Sequence, residues 1–134
     1  MLALLFVSLS VPALAATPVT ATNADPLVTV SWSDGGDHII RVEVALPPEH
    51  TCSNFDLDEQ GRMVKMGVCR SGGDANAPLL EISVERNRRP PTGHPIEGTW
   101  AKLRATVQLH RGASQPIGRF QQSDHPEEVV AQLR

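Results

Sequence analysis

Apolar and polar positions alternate with period two along most of this chain, the pattern of strands that bury one face and show the other to water. Val28, Val30 and Trp32 alternate with Thr29 and Ser31. After turn residues at Asp34-Gly35-Gly36-Asp37, Ile40, Val42, Val44 and Leu46 alternate with Arg41, Glu43 and Ala45, which predicts a hairpin. Pro47-Pro48 ends its second arm. Further on, Leu80, Ile82 and Val84 alternate with Glu81, Ser83 and Glu85. A longer strand is predicted from Thr99 to Arg111, burying Ala101, Leu103, Ala105, Val107 and Leu109 and showing Trp100, Lys102, Arg104, Thr106, Gln108 and His110. A short edge strand is expected around Ile117 to Phe120.

The segment between Cys52 and Cys69 carries a second periodicity, that of paired positions. If it is a hairpin turning at Gln60-Gly61, Cys52 faces Cys69, Asp56 faces Lys65 and Glu59 faces Arg62. The same register sets Phe55 against Met66 and Leu57 against Val64. Parity then buries Phe55, Leu57, Val64 and Met66 and leaves both cysteines on the more polar face. A disulfide closing a loop of this size stabilises by about 3 kcal/mol on chain-entropy grounds. A redox or metal-binding thiol pair is the alternative, but Cys-x-x-Cys spacing is absent and His50 is the only histidine near either cysteine.

Helical signals gather only near the C-terminal end. Asp124 and Pro126 fit a cap and first turn, Glu127 and Glu128 suit the helix dipole, and Val129, Val130 and Leu133 make a small apolar face, predicting a helix of about nine residues. The expected fold is therefore all-β. It is a single-domain antiparallel sandwich or small barrel of about seven strands with a short C-terminal helix and one disulfide.

The chain starts with an apolar run, Leu2 to Val11, broken by Pro12 and followed by Ala13-Leu14-Ala15. Residues 1–15 thus read as a signal peptide, although no Lys or Arg precedes the run. A span would need about 20 apolar residues, so no membrane span is expected once the signal is cleaved. Residues 16–26 read as a mobile lead-in and 27–134 as the β-domain. Two cysteines in an exported chain agree with a disulfide, and the expected location is periplasmic or extracellular.

Charge divides the sequence. From Thr17 to Glu85 there are four basic and eleven acidic residues; from Arg86 to Arg119 there are seven basic and one acidic, within a net charge of −3. The basic block comprises a loop, Arg86 to Pro95, and the polar face of the Trp100 strand. Arg86, Arg88, Arg89, Trp100, Lys102 and Arg104 are candidate contacts for a partner protein or an anionic envelope component. The competing reading is that Glu81 and Glu85 simply pair with Lys102, Arg104 and the loop arginines at the surface. A second candidate is the loop Arg70 to Pro78, expected to be flexible, with Ser71 and Asp74 as contacts. Nucleic acid is not expected, given export and net acidity.

Catalytic signatures are absent: no Gly-x-Ser-x-Gly, His-Glu-x-x-His, Walker loop or dinucleotide fingerprint occurs. His38, His50, His94, His110 and His125 are isolated, so no metal site is expected. Met63 and Met66 suit copper chemically, yet Met66 falls on the buried face of the hairpin. Asp56-x-Asp58-x-Gln60-Gly61 copies the start of a calcium loop, but Gly67 stands where the bidentate Glu belongs. Tyr is absent and aromatics are few, against a sugar-stacking surface. The leading expectation is an exported, non-enzymatic β-domain without a cofactor that binds a protein or envelope component as an inhibitor, immunity or assembly factor. The alternatives are a small exported hydrolase or metal-dependent enzyme, or a structural accessory of a larger envelope complex.

Overall fold

The computed structural model describes residues 26–33, 39–59, 62–87, 100–121 and 126–134. They form β1 (Leu27–Ser33), β2 (Ile39–Ala45), β3 (Cys52–Glu59), β4 (Arg62–Gly73), β5 (Pro78–Asn87), β6 (Trp100–Gln108), β7 (Ser114–Phe120) and β8 (Glu127–Leu133). These strands make two antiparallel four-stranded sheets, β2-β1-β8-β7 and β3-β4-β5-β6. The expected signal peptide, nearly all of the lead-in, and the turns at Asp34 to Asp37 and Gln60-Gly61 lie outside the described residues.

Each sheet turns its apolar parity toward the other. From the first come Val28, Val30, Val42, Val44, Val129 and Leu133; from the second come Val64, Val68, Leu80, Ile82 and Val84, all nearly inaccessible to water. The β6 parity follows expectation, with Val107 and Leu109 buried and Lys102, Arg104, Thr106 and Gln108 exposed. In β7 an irregularity between Pro116 and Gly118 inserts Ile117 into the ladder. It brings Gly118 so close to β6 that a methyl group there would lie 2.7 Å from Leu103 Cδ2. The tighter contact couples the edges of the two sheets.

The disulfide hairpin has the register that its sequence implies. Cys52 pairs with Cys69, Phe55 with Met66, Asp56 with Lys65, Leu57 with Val64 and Glu59 with Arg62. The disulfide is formed, with a Cα separation of 4.0 Å, and lies on the outer face. Ahead of it, the chain passes from β2 through a turn in which Thr51 N–H donates to Pro48 O at 3.1 Å. His50, at φ 63°, occupies the left-handed position of this turn, and its N–H donates to Arg70 O at 2.8 Å. The strand pairing thus starts before Cys52.

The expected C-terminal helix is a strand. β8 lies between β1 and β7, so both of its edges are hydrogen-bonded. Val129, Ala131 and Leu133 alternate into the core with Val130 and Gln132 turned out. A nine-residue helix would bury one narrow stripe and depend on docking, whereas this strand fills a gap in a sheet on both sides. It also raises the strand total to eight among the described residues, where no helix is found.

Inward parity continues past the apolar residues into one charged pair. Arg86 follows Leu80, Ile82 and Val84 on the buried side of β5, Glu127 precedes Val129 on the buried side of β8, and the two form an ion pair across the sheets. Both are buried, at 8% and 4% exposure. Two charges removed from water hold each other strongly only while both are present.

Two stability measurements follow. Glu127→Leu or Arg86→Met alone should cost about 3–5 kcal/mol in denaturant unfolding, and the double variant less than the larger single loss. Additive losses would show that the pair is not a unit. Cys52→Ser and Cys69→Ser should each cost about 3 kcal/mol and the double variant no more, because either change removes the same bond.

Candidate functional site

The outer face of the second sheet is built from the parity opposite to the core. Reading across β3, β4, β5 and β6, Asp56 stands beside Lys65, Lys65 beside Glu85 and Glu85 beside Lys102. The next row is Asn54, Gly67, Ser83 and Arg104, and the one after it Cys52, Cys69, Glu81 and Thr106. Opposite charges therefore alternate along one row, and the smallest side chains occupy the middle of the row beside it.

That middle is hollow. A depression of about 300 Å³ is lined by Asn54, Asp56, Lys65, Gly67, Ser83 and Glu85, with Met66 behind. Gly67 is its floor: a methyl group there would approach Ser83 Oγ to 2.8 Å and Asn54 Oδ1 to 3.2 Å. Ser83 and Asn54 can converge because no side chain separates them. The lining offers two carboxylates, one ammonium, one amide and one hydroxyl, and so receives groups that donate and groups that accept hydrogen bonds. It includes neither imidazole nor thiol. Among the described residues, no group of three or more His, Cys, Asp or Glu is arranged to hold a metal ion.

Around the hollow, charges are paired within the sheet. Arg104 Nη2 lies 2.8 Å from Glu81 Oε1, and Lys102 Nζ lies 3.4 Å from Glu85 Oε1. Lys65 Nζ sits 5.2 Å from the centroid of the Trp100 ring, reaching across β5. The surface pairing of Glu81 and Glu85 with Lys102 and Arg104 is thus realised. At these exposures each ion pair is worth about 0–1 kcal/mol, and the cation–π contact about 0.5–1 kcal/mol. Such weak contacts leave Lys102 and Arg104, with side chains 68% and 75% exposed, available to a partner.

The candidate residues separate into four places. Trp100, Lys102 and Arg104 share this face. Arg86 is turned inward and is held by Glu127, so it belongs to the joint between the sheets rather than to a surface. Arg88 and Arg89 lie outside the described residues. Ser71 and Asp74 are at the far end of the sheet from Trp100, since Gly73 pairs with Pro78 there and Asn87 pairs with Trp100 here. Sequence reasoning placed Asp56 and Lys65 as a cross-strand pair but did not gather Asn54, Gly67, Ser83 and Glu85 into a site. The signal lies in the hairpin register, which sets the only glycine of the paired arms opposite Asn54.

The segment from Arg70 to Pro78, expected to be flexible, is mostly strand closed by a tight turn. Asp74 Oδ1 accepts the Asn76 and Ala77 N–H groups at 2.8 Å each, an Asx turn, and Arg70 Nη2 donates to Gly73 O at 2.7 Å. Ser71 Oγ donates to Leu79 O at 3.4 Å. Both candidate side chains of this segment therefore hold its own backbone. Comparison with protein-family models, with characterised proteins and with solved structures returns no match.

Gly73 tests the rigidity of that turn. At φ 76° a side chain is strained, and a methyl group would stand 2.2 Å from Ala77 O and 2.8 Å from Leu79 N. Gly73→Ala should therefore lower stability by about 2 kcal/mol or more, read from urea midpoints at unchanged m-value, whereas Gly72→Ala, with open space around it, should not.

Proposed function

We propose that this chain is an exported β-sandwich that acts by binding a partner protein through the outer face of β3-β4-β5-β6. The observation that carries the reading is the depression on Gly67, where a mixed set of donors, acceptors and both charges meets in one shallow hollow. Concave polar groups of this kind fix the orientation of an inserted side chain, and the surrounding flat face supplies contact area. The described charges on the face are Asp56, Glu81 and Glu85 against Lys65, Lys102 and Arg104, so they cancel. A balanced face suits a protein surface of mixed charge better than a purely anionic envelope component. Trp100, Lys102 and Arg104 flank the hollow and extend the contact; an inhibitor, immunity or assembly role needs no more than this. The disulfide is compatible with an oxidising, exported location.

The test compares capture by three forms of the tagged, oxidised chain from an envelope extract, followed by binding measurements with the retained protein. Ser83→Arg fills the hollow from a half-buried position and should weaken binding at least tenfold; because it also faces Arg104 across the strands, urea unfolding of the variant checks that the loss is not one of folding. Arg41→Glu, on the outer face of the other sheet, should bind as the unaltered chain does. Equal binding by all three forms removes this face as the contact surface.

A further inference from the structure

The two edges of the second sheet match each other. β3 and β6 are its outermost strands, antiparallel to one another in the sheet order, so that β3 of a second copy laid beside β6 would continue the antiparallel alternation. Among the described residues, β3 and β6 contain no proline and their registers run without a bulge; what guards these edges is charge, Asp56 on one and Lys102 and Arg104 on the other, and the two signs are opposite. In the first sheet, by contrast, the β7 edge carries both Pro116 and an irregularity.

Backbone, side-chain and charge parity agree at this joint. Arg70 N–H donates to Thr51 O and Leu109 N–H to Pro78 O, at 3.0 and 3.1 Å. Since such bonds alternate along an antiparallel ladder, odd-numbered residues of β3 and β6 bond inward to β4 and β5, and even-numbered residues turn N–H and C=O to the outer edges of the sheet. Setting Lys102 against Asp56 of a second copy places edge-facing residues opposite edge-facing residues. The same register sets Leu103 against Phe55 and Ala101 against Leu57 on the core side. Leu103, Ala101 and Phe55 are only half-buried, unlike Ile82, Val84 and Val68 on the central strands, so each edge keeps some apolar surface for a neighbour to cover beyond what the core, and Gly118 of β7 beside Leu103, already take up. The row Asp56, Lys65, Glu85, Lys102 begins negative and ends positive, and the next copy's Asp56 extends its alternation. A slip of two residues sets Arg104 against Asp56 and keeps the match of sign.

We infer that copies of this chain associate head to tail, β6 of one pairing with β3 of the next. The interface is heterologous, so growth is open-ended unless the sheets curve into a ring. It does not need the partner-binding reading, although the two share Asp56, which lines the hollow, and Lys102, which flanks it; Ser83, at the centre of the hollow and away from both edges, tells them apart.

Sedimentation velocity of the purified, oxidised full chain at low ionic strength tests it. Sedimentation should grow with concentration through species larger than a dimer and fall back as salt is raised. Asp56→Lys alone, and Lys102→Asp together with Arg104→Asp so that neither register keeps a matching cation, should each remain monomeric, with unfolding curves showing both to be folded. Their combination in one chain restores opposite signs and should restore association; Ser83→Arg should leave association intact. A wild-type chain that is monomeric across the whole concentration range, association unaffected by either reversal, or growth that stops at a closed dimer would each overturn the inference.

Discussion

The register of β4 against its two neighbours is the constraint on which the remaining features rest. Because side chains alternate along a strand, that one alignment decides simultaneously which residues enter the core and which form the outer face. With Cys69 held opposite Cys52 and beside Glu81, Val64, Met66 and Val68 have to point inward, and Lys65 and Gly67 outward. A shift of one residue would bury Lys65 and expose Val68. The disulfide does not create the alignment so much as forbid the alternatives to it. The hollow over Gly67, the alternating charge row and the contact between Lys65 and Trp100 exist in this register and in no other.

A second constraint acts between the sheets rather than within one. Arg86 and Glu127 continue the inward parity of β5 and β8 beyond the last apolar side chains, at the end of the sandwich where Trp100 begins β6. An apolar pair of the same volume would serve the core at least as well on energetic grounds, because removing two charges from water is costly. What the ion pair adds is selectivity of position: of the inward side chains of β8, only Glu127 answers Arg86, so β8 has a preferred alignment along its length as well as a preferred face.

Much of this was legible in the sequence because antiparallel pairing is arithmetic. Five residue pairs between Cys52 and Cys69 agree on one sum, the parity of the Trp100 strand is uninterrupted over nine residues, and Glu81 and Glu85 lie on the strand next to Lys102 and Arg104. The C-terminal strand was not legible, since the acidic pair after Pro126 is as good a helix start as it is a strand start. What decides it, the two open ladder edges of β1 and β7 that this segment fills, with Arg86 of the other sheet to receive Glu127, lies far away in sequence or outside its own sheet. For the same reason Arg86 read as a member of a basic surface loop. The hollow was half legible: Gly67 and Asn54 face each other within the readable hairpin, but Ser83 joins them only through the β4–β5 register, which no short-range signal fixes.

The place of β8 in the first sheet bears on how the molecule comes to be made. Its ladder partners, β1 and β7, are the first and the seventh of the eight described strands, and β1 can complete its pairing only after the other described strands have left the ribosome. Until then the β1-β2 hairpin offers Val28, Val30 and Trp32 with one ladder edge open. Contacts so distant in sequence make closure slow and expose an adhesive intermediate in the meantime. Folding that begins only after the whole chain has been released escapes part of this hazard, because every described strand is then present when the search starts. A topology whose last described strand is an interior one is, in this sense, better suited to folding after release than to folding strand by strand.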